Sequence, residues 1–219
     1  WTYKWHSLEI YEKIYLVPVL KLPNNKILEV AVNNKCGITS AISIMCYPYF
    51  NKHLARRGSN ELIKKGLFSK SLDRAGWVKS DYKVAIVRDP ISRILSCYAD
   101  RVLIKNRKNV KENVTDWDYF INNLQKIQEE YKDIWHHSYP QVNRLGRDPS
   151  IYDKIFNTKN LNNEFPKFIG ELYNTKIPSI HTKSSGSIKN KINLTDKHLE
   201  LIKEFYKEDY TYYGDYFDQ

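Results

Sequence analysis

The chain has 219 residues, of which 42% are hydrophobic, and this excludes a disordered protein and suits one domain over residues 1–219. Its 35 lysines and arginines exceed its 25 acids, and the net charge of +10 favours anionic partners such as nucleic acid, phosphate-rich cofactors or acidic glycans. No apolar run approaches the roughly 20 residues of a membrane-spanning helix. Because the sequence begins with Trp1 and not with Met, we expect the natural chain to start upstream.

The cysteines and histidines indicate a reduced protein without a metal. Three cysteines, Cys36, Cys46 and Cys97, are too few for a disulfide framework, and with six histidines they match no zinc pattern. We therefore expect a reduced, cytoplasmic protein with no metal. Glycosylation triplets at Asn113 and Asn193 keep a Golgi lumen open as the alternative, if an N-terminal anchor was removed.

Hydrophobic patterning predicts strands that alternate with helices. The predicted strands cover residues 13–20, 27–33, 83–87 and 151–156, and the predicted helices cover 38–50, the residues after Pro90, 114–131, 162–173 and 195–206. Residues 51–80 suggest a short helix and a loop. The apolar run 83–87 is typical of a buried parallel strand. The fold class expected is α/β, with a central, mainly parallel sheet flanked by helices.

Residues 33–40 (NNKCGITS), here called the 33–40 loop, join a predicted strand to a predicted helix. A helix N terminus presents unpaired N–H groups and the positive end of a dipole, and Gly37 lets an anion approach the backbone closely. Lys35 adds a mobile charge, and Thr39 and Ser40 add hydroxyls. The loop is therefore a candidate phosphate or sulfate site, although an ordinary strand-to-helix turn remains an alternative.

Residues 87–98 (VRDPISRILSCY), here called the 87–98 segment, follow a second buried strand. Arg88 lies at the end of that strand, where open α/β sheets bind ligands. Its guanidinium offers a planar fork of donors suited to phosphate. Arg93 and Ser96 follow on the next helix, whose entry Asp89 and Pro90 can form. The segment is a candidate second anion site.

The two segments together resemble those of the carbohydrate sulfotransferases related to chondroitin and HNK-1 sulfotransferases, which form sulfotransferase family 2. NKCGITS is similar to that family's PKxGxTS loop, and the 87–98 segment with the following ADR is similar to RxPxxRLxSxYxxK. Residues 137–141 (HSYPQ) resemble HWxPQ, and residues 208–216 (EDYTYYGDY) resemble the family's terminal stretch. Asn34 and Ser138 depart from the usual proline and tryptophan. The cysteines that family members in secretory compartments often pair are missing around 140–152, which suggests a cytoplasmic relative of bacterial type.

The resemblance implies a single sulfotransferase domain with a P-loop-like fold. It implies 3′-phosphoadenosine 5′-phosphosulfate (PAPS) as donor, 3′,5′-adenosine bisphosphate as product, and no metal. The acceptor would be a small molecule or glycan, with a carbohydrate hydroxyl expected, and the basic run 101–111 is either a surface for an anionic acceptor or a solvated helix end. The implied donor-site residues are Lys35, Cys36, Gly37, Ile38, Thr39, Ser40, Arg88 and Ser96.

Lys35 is also the predicted catalytic cation, and a histidine is the expected general base. His137 is the first candidate because it opens the HSYPQ stretch, and His53 is the second because it lies between the two segments. Either histidine could instead be an ordinary core or surface residue.

Two other functions stay open at this point. A nucleotide-dependent kinase would need GxxxxGK[ST], whereas here the lysine precedes a single glycine. A basic nucleic-acid-binding domain agrees with the charge and the seventeen tyrosines, but such a domain interleaves basic and aromatic residues on one surface. Here tyrosines cluster at 206–216, so we expect no nucleic acid partner.

Overall fold

The computed structural model describes residues 17–54, 56–71, 79–105, 109–179 and 192–217. The strands are β1 (Val17–Lys21), β2 (Ile27–Val32), β3 (Phe68–Ser71), β4 (Tyr82–Val87) and β5 (Lys154–Asn157). The α-helices are α1 (Ile38–Phe50), α2 (Arg56–Lys64), α3 (Pro90–Cys97), α4 (Trp117–Asn122), α5 (Leu124–Glu130), α6 (Lys132–Ser138), α7 (Val142–Leu145), α8 (Leu161–Tyr173), α9 (Asp196–Phe205) and α10 (Lys207–Tyr213). A π-helical segment (Tyr98–Lys105) continues α3, and 3₁₀ turns occur at Glu112–Thr115, Pro149–Ile151 and Gly214–Tyr216.

The five-stranded sheet has the order β3-β1-β2-β4-β5. β2 pairs in parallel with β4, and β4 pairs in parallel with β5. β1 is antiparallel to both β2 and β3, so it alone of these strands runs against the others. The expected α/β fold class, with a mainly parallel sheet flanked by helices, is confirmed.

The two central strands are buried on both faces, which explains their continuous apolar sequence. Alternate residues of β2 and β4 face opposite sides, because side chains alternate along a strand. Val30, Val32, Val84 and Ile86 join one core cluster with residues of α1 and α8. Ala31, Ala85 and Val87 pack instead against Val142, Leu145, Tyr213 and Phe217. A further apolar cluster joins α3, the π-helical segment, α4–α6 and α9.

Some predicted elements differ from those observed. The predicted helix 114–131 is wrong as one helix: Asp116 caps α4 by accepting from the Tyr119 N–H, and the Asn123 side chain donates to the Tyr119 carbonyl where α4 ends. β3 lies in a region predicted as helix and loop, and its pairing with the distant β1 defines it. The strand predicted from 151 begins only at Lys154. Residues 13–16 and 106–108 lie outside the described part of the chain.

The helices α1 and α9 begin where the sequence predicts. α1 spans the predicted residues 38–50, and Thr195 caps α9 through its hydroxyl, as expected. All three cysteines are buried and free. Within the described ranges, no helix has the length and apolar character to cross a membrane. Those ranges also contain no group of histidine, cysteine and acidic residues that could hold a metal.

Gly170, near the end of α8, allows the chain to fold back closely, and this gives a stability prediction. A Cβ at Gly170 would lie 2.5 Å from the backbone carbonyl oxygen of Thr175, whereas one at Gly214 would meet nothing within 4 Å. We expect Gly170→Ala to destabilise the protein by about 2–4 kcal/mol, because backbone and not a flexible side chain must move.

Gly214→Ala is the matched control, and we expect it to change the free energy of unfolding by less than about 1 kcal/mol. Thermal and urea unfolding of both variants measure the difference. Equal stability of the two variants would contradict the close approach at Gly170.

Candidate active site

The parallel pairing of β2 and β4 brings the two candidate anion sites to one edge of the sheet. In the register, Val32 pairs with Ile86, so both strands end side by side. The 33–40 loop leaves the end of β2, and Arg88 directly follows β4. The carboxyl edge of a parallel sheet is the usual place for a ligand in an α/β fold.

The 33–40 loop turns sharply into α1 through two residues in the left-handed region. Lys35 has a φ of 66° and Gly37 has a φ of 78°. A Cβ at Gly37 would lie 2.6 Å from Leu161 Cδ2, so both backbone angle and space favour glycine here. A lysine at positive φ costs about 1 kcal/mol, which the surrounding contacts must offset.

The N terminus of α1 is open to an anion. Gly37 is the N-cap and no side chain caps the helix, so the first N–H groups lack a side-chain acceptor. Thr39 is exposed beside them, while Ser40 is buried. Neither hydroxyl has a hydrogen bond to any described residue. Residues 38–40 therefore offer N–H and O–H donors that can hold a phosphate or sulfate.

Arg88 connects the two segments directly. Its Nη1 donates to the Lys35 carbonyl at 2.8 Å, and its remaining guanidinium N–H groups have no hydrogen-bond acceptor among the described residues. Burial lowers the pKa of Arg88, although the guanidinium remains a cation at neutral pH. The side chain therefore fixes the loop with one N–H and can hold an anion with the others.

Arg93 also connects main-chain groups, and its Nη2 has no hydrogen-bond partner among the described residues. It is 1% exposed, and its Nε and Nη1 donate to the carbonyls of Asn34 and Tyr139, at 3.1 and 2.7 Å. Ser96 lies one turn further along α3 and is buried as well, so both residues are on the helix face that packs toward the site. The Asn34 side chain adds a hydrogen bond to the His136 carbonyl.

Gln141 joins the two segments through the main chain of Arg88 and the thiol of Cys36. Its side chain accepts from the Arg88 N–H at 3.0 Å and donates to the Arg88 carbonyl at 2.8 Å. It also accepts from the Cys36 thiol and donates to Asp209. Sequence reasoning noted Gln141 and Asp209 only inside family-like stretches, and the resemblance was the one signal that could have drawn attention to them.

Asp209 in turn holds Gln141 in place. The carboxylate is fully buried and accepts from the backbone N–H groups of Gln141 and Val142, each at 2.9 Å. Burial raises its pKa, while these N–H donors and the positive charge of Arg93 act against that rise. Burial also raises the pKa of the Cys36 thiol, so Cys36 contributes its main chain and packing and not a thiolate.

Lys35 directs its ammonium group to the π-helical segment. Its Nζ lies 2.8 Å from Asp100 Oδ2, and both side chains are about one-fifth exposed, 17% and 20%. The same Asp100 oxygen lies 3.3 Å from Arg101 Nε, and Arg101 Nη1 lies 3.4 Å from Asp133 Oδ2. Part of the predicted basic run is therefore neutralised by acids, and Lys111 pairs with Glu130 in the same way.

The two candidate bases, His137 and His53, lie at different distances from the 33–40 loop. His137 is buried near the end of α6, next to the residue whose carbonyl contacts Asn34. His53 lies beyond the C-terminal end of α1, a 13-residue helix, and so about 20 Å from the 33–40 loop. It packs against Tyr47, and both of its ring nitrogens are buried without a described partner.

His137 has a defined tautomer. Its Nδ1 lies 2.7 Å from the Asp133 carbonyl oxygen, which can only accept, so Nδ1 carries the proton and Nε2 the lone pair. Burial lowers the pKa of His137 to about 4, which keeps the ring neutral at pH 7. A neutral histidine with a free lone pair can accept a proton.

This geometry defines an α/β protein with a candidate anion site at one edge of its sheet, and comparison with known families assigns its family. The model of the sulfotransferase family matches residues 22–217, a span that contains both segments, Gln141 and Asp209. The chain belongs to the sulfotransferase family and is a sulfotransferase. A search of curated proteins found no match. Family membership favours the sulfotransferase prediction over the kinase.

The Gln141 hydrogen bonds give a prediction. We expect Gln141→Leu to destabilise the protein by about 2–4 kcal/mol, because it leaves the Arg88 N–H and the Arg88 carbonyl without a buried partner and removes one hydrogen bond to Asp209. For a chain of this size, the melting temperature should fall by roughly 5–15 °C. Calorimetric unfolding measures the change.

Gln125→Leu makes the same exchange at an exposed position of α5, where Gln125 contacts Glu129. We expect it to change stability by less than about 0.5 kcal/mol. A Gln141→Leu variant as stable as Gln125→Leu would show that the hydrogen bonds of Gln141 do not hold the segments together.

Proposed function

We propose that this sulfotransferase moves the sulfuryl group of PAPS to a hydroxyl of a carbohydrate acceptor, in line, with His137 as base. The observation that supports the proposal is the hydrogen bond from Arg88 to the Lys35 carbonyl. It holds two anion-binding elements, the N terminus of α1 and the free N–H groups of Arg88, beside each other. Two neighbouring sites suit a nucleotide that carries phosphate at both its 5′ and 3′ positions.

Each residue then has a distinct role in binding PAPS. The N–H groups of residues 37–40 and the Thr39 hydroxyl hold the 5′-phosphosulfate, and Lys35 neutralises charge that builds on the leaving phosphate oxygen. Arg88 and Ser96 hold the 3′-phosphate, which separates PAPS from ATP. The protein needs to supply positioning and charge stabilisation, as in phosphoryl transfer. The reaction requires no metal.

The transfer step proceeds as a displacement at sulfur. The acceptor oxygen forms a new bond to sulfur while the bond to the bridging phosphate oxygen breaks. That bridging oxygen keeps the electron pair, and 3′,5′-adenosine bisphosphate leaves. The proton of the acceptor hydroxyl passes to His137 Nε2. His137 is preferred over His53 because its neighbour His136 contacts Asn34 of the loop, whereas His53 is at the far end of α1.

Calorimetry with 3′,5′-adenosine bisphosphate tests the donor site. We expect Lys35→Ala, Arg88→Ala and Ser96→Ala to weaken binding, with a loss of about tenfold or more for Arg88→Ala because it removes charge-assisted hydrogen bonds to the 3′-phosphate. ATP, which has no 3′-phosphate, should bind much more weakly to the wild type.

Arg147→Ala is the matched control, since Arg147 is exposed and pairs with Glu208. It removes one positive charge but should leave bisphosphate affinity within about twofold. Melting temperatures of all variants separate lost contacts from lost folding. A wild type that binds ATP but not the bisphosphate contradicts the proposal and favours the kinase.

The pH dependence of the reaction tests His137. Protonation of Nε2 removes the base, so kcat/KM should fall as pH drops through the pKa of about 4 and should be level between pH 6 and 8. Replacing His137 by alanine should lower kcat by about 10²–10⁴-fold while bisphosphate affinity stays unchanged.

The His53→Ala variant, assayed in parallel, decides between the two histidines. A loss of kcat in His53→Ala that equals or exceeds the loss in His137→Ala, with both variants folded, would assign the base to His53.

A further inference from the structure

The ion pair of Lys35 places a negative charge at the candidate donor site. Asp100 Oδ2 lies 2.8 Å from Lys35 Nζ, and the side chains are only 17% and 20% exposed, so water screens the pair incompletely. Asp100 reaches the loop because α3 continues into the π-helical segment Tyr98–Lys105. The pair is therefore a feature of the fold and not a contact between two mobile surface side chains.

We propose that Asp100 is a positioning residue that competes with the donor for Lys35, so that Lys35 exchanges its carboxylate partner for the 5′-phosphate when the donor binds. This inference rests on the proposed function. An anion at the N terminus of α1 and the Asp100 carboxylate both attract the Lys35 ammonium. The carboxylate also repels the anion, and both effects weaken donor binding.

The neighbours of Asp100 make such an exchange feasible. The Asp100 oxygen that pairs with Lys35 also lies 3.3 Å from Arg101 Nε, so the carboxylate keeps a cation when Lys35 leaves. Arg101 is itself held by Asp133 at 3.4 Å. Asp100 is thus kept in one position by Arg101, from which it orients Lys35 before binding and receives it again after product release.

Calorimetry with 3′,5′-adenosine bisphosphate on the full chain tests the competition. We expect Asp100→Asn to bind the bisphosphate about fivefold more tightly than the wild type, because Lys35 no longer has to leave a charged partner. Asp100→Glu keeps the charge and should return the affinity toward the wild-type value. A merely structural role of Asp100 would predict weaker binding in Asp100→Asn, not tighter binding.

A double-mutant cycle separates direct competition from a general field effect. In the Lys35→Ala background, Asp100→Asn should tighten binding by clearly less than fivefold, because the ammonium for which both anions compete is gone and only the repulsion between the carboxylate and the anion is removed. Tightening of the same size in that background would overturn the proposal, since simple repulsion would then explain it. Should Asp100→Asn fail to fold, Asp100→Ser carries the same two expectations.

The outcomes also distinguish this inference from the proposed function. If the wild type binds the bisphosphate and folded Asp100→Asn binds it equally or more weakly, the proposed role of Asp100 is wrong. The proposed donor site is then still supported. A wild type and an Asp100→Asn variant that both fail to bind the bisphosphate overturn the donor site and the competition together.

Discussion

Main-chain hydrogen bonds from buried side chains hold the 33–40 loop against the 87–98 segment, and the geometry of the site depends on them. Arg88 and Arg93 donate to the carbonyls of Lys35 and Asn34, and Gln141 pairs with both main-chain groups of Arg88. The Asp209 carboxylate holds Gln141 in place by accepting hydrogen bonds from its backbone N–H and its side-chain amide. These contacts hold the loop in which Lys35 has a positive φ and from which α1 starts without a side-chain cap, so they shape the candidate anion site.

Charge at the site is arranged in an alternating row. Lys35, Asp100, Arg101 and Asp133 follow one another at ion-pair distance, and the backbone carbonyl of Asp133 accepts from His137. Each cation in the row has an acid beside it, so the Lys35 ammonium is paired with Asp100 when no anion is bound. The row also links the 33–40 loop to the helix that carries His137, which places the proposed cation and the proposed base on one connected framework.

The apolar pattern of neighbouring residues correctly predicted the strands and the helix that position the candidate site. It gave wrong predictions where an element depends on contacts with residues far away in the chain. The bounds of α1 are confirmed, and β2 and β4 were predicted to within a residue or two, because apolar periodicity and Gly37 mark them in the sequence itself. The helix predicted over 114–131 was wrong as one helix, since the Asp116 side chain caps the start of α4 and the Asn123 side chain donates to the Tyr119 carbonyl where α4 ends. β3 is polar and short, and only its pairing with β1 makes it a strand.

The sequence alone determined the α/β class, the glycine-dependent loop and the presence of arginine after a buried strand, because these follow from residue type and neighbouring residues. Only the tertiary structure decided which hydrogen bonds each of these side chains makes. Arg88 and Arg93 look equivalent in sequence, yet Arg93 is buried and donates from two of its nitrogens to carbonyls, while Arg88 is only partly buried and, among the described residues, donates from Nη1 alone. Gln141, Asp209 and Asp100 acquire their roles through contacts with residues far away in the chain, which no local pattern encodes.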